Sequence, residues 1–234
     1  SNTTDSARYN LAIGTTALEA ITTGETNVAV GHDALAKNTI GSYNTAIGYK
    51  ALADSTGGQN VAVGYGALQS NSLGKFNTAI GLNTLANNKG NHNAALGRQA
   101  LLRNTSGSYN TASGNKALLN NTTGSYNTAY GYGALYTNTY SDHNTAIGYG
   151  ADIASDDLNN ATAIGNGAIV NASDKIRLGN TSVTVIEGQV AFTTSSDRRL
   201  KKDIVDTRYG LNTILELRPV DYQMKSNNLE QIGF

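Results

Sequence analysis

Small and branched apolar residues alternate with polar ones in Asn44-Thr45-Ala46-Ile47-Gly48, and versions of this stretch return ten times between Asn10 and Gly165. The closing glycines are Gly14, Gly31, Gly48, Gly64, Gly81, Gly97, Gly114, Gly131, Gly148 and Gly165, a step of sixteen or seventeen residues each time. A constant step marks one structural unit stacked on itself. The alternation predicts a short strand, with Thr45 and Ile47 on one face and Asn44, Ala46 and Gly48 on the other. The small face suits the inside of a narrow coil. The branched face, carried by Ile13, Val30, Ile47, Val63, Ile80, Leu96, Ile147 and Ile164, predicts an apolar stripe running up the stack.

A second signal lies three and four residues past each glycine: Ala17-Leu18, Ala34-Leu35, Ala51-Leu52, Ala67-Leu68, Thr84-Leu85, Ala100-Leu101, Ala117-Leu118 and Ala134-Leu135, with Ala151-Asp152 and Ala168-Ile169 as looser copies. A third is a glycine three residues before the asparagine, at Gly24, Gly41, Gly57, Gly74, Gly90, Gly107 and Gly124, inside Asn, Ser and Thr runs that suit tight turns. Each unit therefore reads strand, corner, short apolar segment, turn. Rungs about 4.8 Å apart make the stack roughly 45–50 Å long. Periodic Ile, Val and Leu argue against disorder, and glycine with β-branched residues at fixed places argues against a helical solenoid. A coil this thin buries little by itself, so the stripe is expected to close against other copies of the chain.

The NTAIGY-x-AL and NTTGSYN phrasing resembles the head repeats of trimeric autotransporter adhesins, which also occur in phage tail-fibre-like proteins. It covers roughly Tyr9 to Val170. The resemblance implies an all-β fold, a left-handed parallel β-roll shared by three chains. The expected organisation is a repeat domain at 1–170, a β neck at 171–195, where Ser173 to Gly179 and Thr181 to Val185 alternate like strands and Gly188 precedes another pair at Val190 and Phe192, and a different module at 196–234. An ordinary hairpin capping the open end is the other reading of the neck.

Composition narrows the partners. The 234 residues hold 17 Lys plus Arg and 17 Asp plus Glu, so no basic footprint for nucleic acid and no acidic tail are expected. Cysteine is absent, which removes disulfides and thiolate metal sites. Ser1 to Arg8 is polar, lacks the apolar core of a signal peptide and reads as a cut. No apolar run reaches about eighteen residues, so no membrane insertion is expected in this segment.

From Ser196 the composition turns charged, Asp197-Arg198-Arg199-Leu200-Lys201-Lys202-Asp203. Gly210 to Leu217 then suits a short helix that Pro219 stops, and Val220 and Tyr222 suit a strand. Ser195-Ser196-Asp197-Arg198-Arg199-Leu200-Lys201, with Leu217-Arg218-Pro219-Val220 and Ile232-Gly233-Phe234 downstream, resembles the start of the endosialidase-type intramolecular chaperone, the S74 peptidase family. The resemblance implies that 196–234 is the N-terminal part of a small α+β chaperone that drives three chains into register and then cuts itself off. It implies Ser196 as nucleophile, Lys201 as its basic partner and Ser195-Ser196 as the scissile bond. A lysine can activate a serine only when desolvation or nearby cations depress its pKa, and Arg198, Arg199 and Lys202 are such cations. On the residues alone, a Ser-Asp pair before a basic run is more often a turn or helix cap.

Recurring rings form two columns. Tyr9, Tyr43, Phe76, His92, Tyr109, Tyr126 and His143 precede the strand asparagine, and His32, Tyr49, Tyr65, Arg98, Tyr132 and Tyr149 follow its glycine. Tyrosine suits sugar rings and protein receptors, which makes Tyr49, Tyr65, Tyr132 and Tyr149 the candidate binding residues. The preferred alternative is a ladder of rings that stabilises the roll. The three histidines read as surface residues, and no metal or cofactor is expected. Asn104-Thr105-Ser106 and Asn121-Thr122-Thr123 read as turn chemistry and not as glycosylation sites. The expected function is a homotrimeric fibre of a phage tail or injection machine that binds a cell-surface glycan or protein receptor. A bacterial cell-surface trimeric adhesin is the alternative. A polysaccharide depolymerase ranks below both, because glycan cleavage usually needs two placed carboxylates, the repeats contain few, and the adjacent Asp156-Asp157 pair points in opposite directions if extended.

Overall fold

Strands of three residues form wherever the motif returns, since a small inward residue between two outward ones is all that one wall of a narrow coil accommodates. The computed structural model describes residues 7–188. The chain divides into two compact units, Ser1–Val185 and Ile186–Phe234. Within the described residues the first unit is all-β, a parallel solenoid of about ten turns. Its strands are β1 (Leu11–Ile13), β2 (Val28–Val30), β3 (Thr45–Ile47), β4 (Val61–Val63), β5 (Thr78–Ile80), β6 (Ala94–Leu96), β7 (Thr111–Ser113), β8 (Thr128–Tyr130), β9 (Thr145–Ile147), β10 (Asp152–Ile153), β11 (Thr162–Ile164), β12 (Ile169–Val170) and β13 (Ile176–Leu178).

Eleven of these strands form one parallel sheet in sequence order, β1 to β9, then β11 and β13. Equivalent positions always pair: Val28 with Thr45, Ala29 with Ala46, Val30 with Ile47. The inward alanines are fully buried from Ala29 to Ala79, and Ile13, Ile47, Ile80, Leu96 and Ile147 face outward and are exposed. The faces read from the alternation are therefore the faces observed. β13 falls in the stretch 171–195 and pairs in parallel with β11, so the sheet continues past Val170. There the inward alanine is replaced by Arg177, whose Nε donates to the Gly179 carbonyl at 3.0 Å. Residues 189–234 lie outside the described part.

Opposite the strand, the corner leucines fill the rest of the core. Leu35, Leu52, Leu68, Leu85, Leu101, Leu118 and Leu135 are fully buried, and all hold φ between 50° and 53°. A left-handed leucine costs roughly 1–2 kcal/mol. It is held because its N–H donates to the next rung, as Leu52 does to the Ala67 carbonyl at 3.0 Å and Leu118 to that of Ala134 at 2.9 Å. The looser copies differ for a local reason. Asp152 and Ile169 stand where the other rungs have leucine, neither offering a leucine to the core, and the core position moves one residue on, to Ile153 and Val170, which are extended and pair as β10 and β12.

Between turn and strand runs a column of buried asparagines. The Asn44 Oδ1 accepts from the Asn60 backbone N–H at 3.0 Å, while its Nδ2 donates to the Gly57 carbonyl at 2.9 Å. The same pair of bonds links Asn10, Asn27, Asn44, Asn60, Asn77, Asn93, Asn110, Asn127 and Asn144, with Oδ1 contacts of 2.8–3.0 Å and Nδ2 contacts of 2.7–2.9 Å. At the end of the column Asn127 and Asn144 reach the Ser141 and Leu158 carbonyls in place of a glycine's, and the last Oδ1 accepts from Ala161 N–H at 2.9 Å. A second buried column, Asn71, Asn88, Asn104, Asn121 and Asn138, is joined side chain to side chain.

The turn glycines are required by closeness. A Cβ on Gly41 would sit 2.3 Å from the Gly57 carbonyl oxygen of the next rung. The strand-end glycines combine closeness with conformation: Gly48 has φ +133°, and its Cβ would meet the Gly64 oxygen at 2.6 Å. The two sixteen-residue steps lose their residue inside the turn, between Ser55 and Gly57 and between Asn88 and Gly90, where the other rungs have one residue more. Strand, corner and asparagine columns therefore keep register.

Two stability tests follow from these bonds. Asn77→Ala leaves the buried Asn93 N–H without its acceptor and is expected to cost about 1–3 kcal/mol in urea unfolding, whereas Asn87→Ala on the surface stays within about 0.5 kcal/mol. Lys116 and Leu118 both have positive φ, 61° and 50°, but only Leu118 is buried. Lys116→Gly is expected to be neutral or to stabilise by up to about 1 kcal/mol, and Leu118→Gly to destabilise by about 2–5 kcal/mol through the lost core contact.

Candidate adhesive surface

Residues just before the strand asparagine also take left-handed backbone, φ 58° at Phe76 and 59° at Tyr109 and Tyr126. The chain turns sharply there before the strand begins, and the ring stands outside the coil. With rungs in register, one ring lies over the next. Phe76–His92, His92–Tyr109, Tyr109–Tyr126 and Tyr126–His143 stack with centroids 4.7–5.0 Å apart and planes within 8°. Five rings thus form a continuous column.

The column after the glycine is broken. Tyr49 and Tyr65 stack at 4.9 Å, and Tyr132 and Tyr149 at 5.2 Å. His32 tilts over Tyr49 at 5.4 Å, and the Lys50 ammonium lies 5.3 Å from the Tyr49 ring centre. Leu82, Arg98 and Asn115 occupy the intervening rungs, so the four candidate tyrosines form two separated pairs. The rings present largely their edges to solvent, since stacked faces are spent on one another. Tyr65 and Tyr149 remain more than half exposed, at 53% and 63%.

The carboxylates are engaged in the turns. Asp33 accepts from the Thr16 hydroxyl, which holds its carboxyl below the ordinary carboxylate range, helped by His32, whose Nδ1 lies 3.0 Å away. Burial pushes Asp152 up, against the Thr137 hydroxyl and N–H that donate to it at 2.8 and 3.0 Å. Asp156 Oδ1 accepts from the Thr139 and Tyr140 N–H groups at 2.6 and 3.2 Å. Asp157 accepts from the Ser155 hydroxyl at 2.5 Å. The adjacent aspartates thus serve different turns, Asp156 that of the preceding rung and Asp157 its own. Among the described residues no three His, Cys, Asp or Glu side chains are grouped to hold a metal, and no helix is long and apolar enough to cross a membrane.

Asn104 and Asn121, the heads of Asn-x-Ser/Thr triplets, are fully buried in the second asparagine column, which leaves their amides inaccessible. A further column escaped the sequence reading: small polar residues just before the ring column. Ser42 Oγ accepts from the Glu25 N–H at 3.0 Å, and Ser108, Ser125, Asp142 and Asn159 act in the same way in later rungs. Its residue types vary too much to stand out in a single sequence.

The candidate catalytic residues Ser196 and Lys201, and the Ser195-Ser196 bond, lie outside the described residues. Sequence comparison bears directly on that stretch. Residues 196–234 match the peptidase S74 family, the chaperone of endosialidase. The chaperone match begins at Ser196, where the composition changes. No curated protein matches the chain. A parallel β-solenoid followed by an endosialidase-type chaperone segment fits a phage tail-fibre-like protein.

Removing a ring from the middle of the continuous column should cost more than removing one from a pair. Tyr109→Ala, which loses two stacked neighbours, is expected to destabilise by about 1–3 kcal/mol, and Tyr132→Ala, which loses one, by about 0.5–1.5 kcal/mol. Thermal unfolding of the two variants beside wild type reads the difference.

Proposed function

We propose that this chain is the repeat rod of a homotrimeric, tail-fibre-like protein that attaches to a cell surface, assembled through a C-terminal self-cleaving chaperone. The observation that carries the trimer is the outer face of the eleven-stranded sheet. Each strand presents two outward residues, and from Leu11 and Ile13 to Ile176 and Leu178 not one of them is charged. Ile13 and Leu96 are 54% and 52% exposed on that face. Eleven rungs of three residues make it roughly 48 Å by 10 Å. A chargeless patch of that size marks an interface core.

Three copies packed by this face place equal rungs at equal heights, which is the arrangement implied by the repeats' resemblance to left-handed trimeric β-rolls. The chaperone match supports it, because a rod whose interface exists only between chains needs a device that sets their register. In the proposed cleavage, Lys201 takes the proton of the Ser196 hydroxyl, which attacks the Ser195 carbonyl. The Ser195–Ser196 amide gives way to an ester, and water then releases a Ser195 carboxylate and a Ser196 amine. This is one turnover per chain, without an external substrate. The exposed tyrosine pairs and the rest of the rod surface serve attachment.

Sedimentation of the folded solenoid and intact mass of protein carrying the complete chaperone domain test the proposal together. The expected results are a threefold mass in solution, dissociated by Ile80→Glu with Ile147→Glu, and cleavage at Ser195-Ser196 abolished by Ser196→Ala and by Lys201→Ala. A folded, monodisperse monomer overturns the fibre. An intact wild-type chain with a folded chaperone overturns the catalytic assignment and leaves the fibre standing.

A further inference from the structure

The first shortened rung opens a notch on the turn side of the coil. It holds about 320 Å³ and is lined by Ile40, Ser42, Tyr43, Thr56, Gly58, Gln59 and Lys75, with Gly41 at its back. Two changes coincide there. The turn between Ser55 and Gly57 is one residue short, and the ring position of the rung is Gln59, between Tyr43 before it and Phe76 after it. In the second shortened rung the ring position is His92, stacked between Phe76 and Tyr109, so the ring column is unbroken there.

The notch floor carries donors without acceptors. In neighbouring rungs the backbone N–H of the small polar column donates to the side chain one rung on, as Glu25 donates to Ser42 Oγ at 3.0 Å and Lys75 to Asn91 Oδ1 at 2.8 Å. The residue one rung after Ser42 is Gly58, which has no side chain to accept. A Cβ there would lie 2.8 Å from the Ser42 carbonyl oxygen and 3.4 Å from the Ser42 nitrogen, so the missing side chain is one that would have stood beside this N–H. The residue one rung after Gly58 is Lys75, which has no acceptor either. Neither the Ser42 nor the Gly58 N–H finds a partner among the described residues. Lys75 is exposed, makes no ion pair among the described residues, and is the only charged residue of the lining.

Tyr43, 63% exposed, has Thr26 and Gln59 above and below it in place of rings, so its face is open in a way that the faces of Tyr109 and Tyr126 are not. Ile40, equally exposed, extends the apolar wall.

We infer that this notch is a subsite for an acidic sugar, a pyranose carrying a carboxylate. The ring lies against Tyr43 and Ile40, Gln59 meets hydroxyl groups, and the carboxylate accepts from the Ser42 and Gly58 N–H groups and from the Lys75 ammonium. Aromatic stacking gives contact, and the charge-assisted donors give the preference for an anion. The inference rests on the adhesive reading above and specifies its ligand.

The test uses the assembled full chain and two probes that differ only in the acid, methyl glucuronide and methyl glucoside, read by saturation-transfer NMR. Wild type is expected to bind the glucuronide about tenfold more tightly than the glucoside. Lys75→Gln should bring that ratio close to one while binding persists. Tyr43→Ala should weaken both probes. Gln59→Tyr, which completes the ring column and fills the notch, should abolish both signals without lowering the melting temperature. Equal binding of the two probes by wild type, or unchanged binding in Gln59→Tyr, overturns the subsite. A panel of neutral and uronate-bearing oligosaccharides separates this from the broader reading. Capture that Gln59→Tyr leaves intact overturns the notch but keeps adhesion, and no capture of any member overturns both the notch and glycan adhesion.

Discussion

A backbone amide buried in a coil has to find an acceptor: most of those here find a carbonyl of the neighbouring rung, but the amide that opens each strand finds a side chain instead. The asparagine column uses both ends of each side-chain amide: Oδ1 takes the N–H of the next asparagine and Nδ2 reaches the carbonyl of the next turn. Asparagine is the residue that can do this, because it carries an acceptor and a donor on a stem short enough to stay inside. Aspartate would bring a buried charge and alanine would leave the donor orphaned. The apolar core is slight, two alanines and a leucine in a typical rung, so this polar column sets the height of one rung on another.

Once the rungs are locked at one spacing, other features become affordable. Left-handed leucines, lysines and tyrosines, costly one at a time, are held by N–H groups that bond across the rung interface. Turn glycines are required because the carbonyl of the next rung leaves no room for a Cβ. Rings in equivalent places stack at the rung spacing, and a shortened turn is absorbed without disturbing the strands. Each rung is thus stabilised chiefly by its two neighbours, the behaviour of a one-dimensional array.

The same regularity separates the surface into zones with different uses. The outer strand face lacks charge because every strand keeps Thr, Val, Ile or another uncharged residue there, so covering it strips water from no ionised group. The ring columns border the strand at either end. They stiffen the rod where they are continuous and leave open faces where they are interrupted. Adhesion, on this view, belongs to the irregular rungs: a repeat that is satisfied on all sides has nothing left for a ligand, whereas Gly58 and Gln59 break two columns in one rung.

Much of this was legible in the chain itself. The period, the strand at each Asn-x-Ala-x-Gly, the inward alanines, the outward stripe and the stacked rings follow from alternation and spacing, because they depend on residues a few places apart or on the bare fact of repetition. The tertiary structure decided the rest. Nothing local tells that Asn44 bridges to Asn60 and Gly57, that Leu52 is left-handed, that the core position slides to Ile153 where aspartate takes the leucine's place, or that Ser42 faces a missing side chain. Those contacts join residues thirteen to seventeen positions apart, and they come into being only when one turn of the coil is laid on the next.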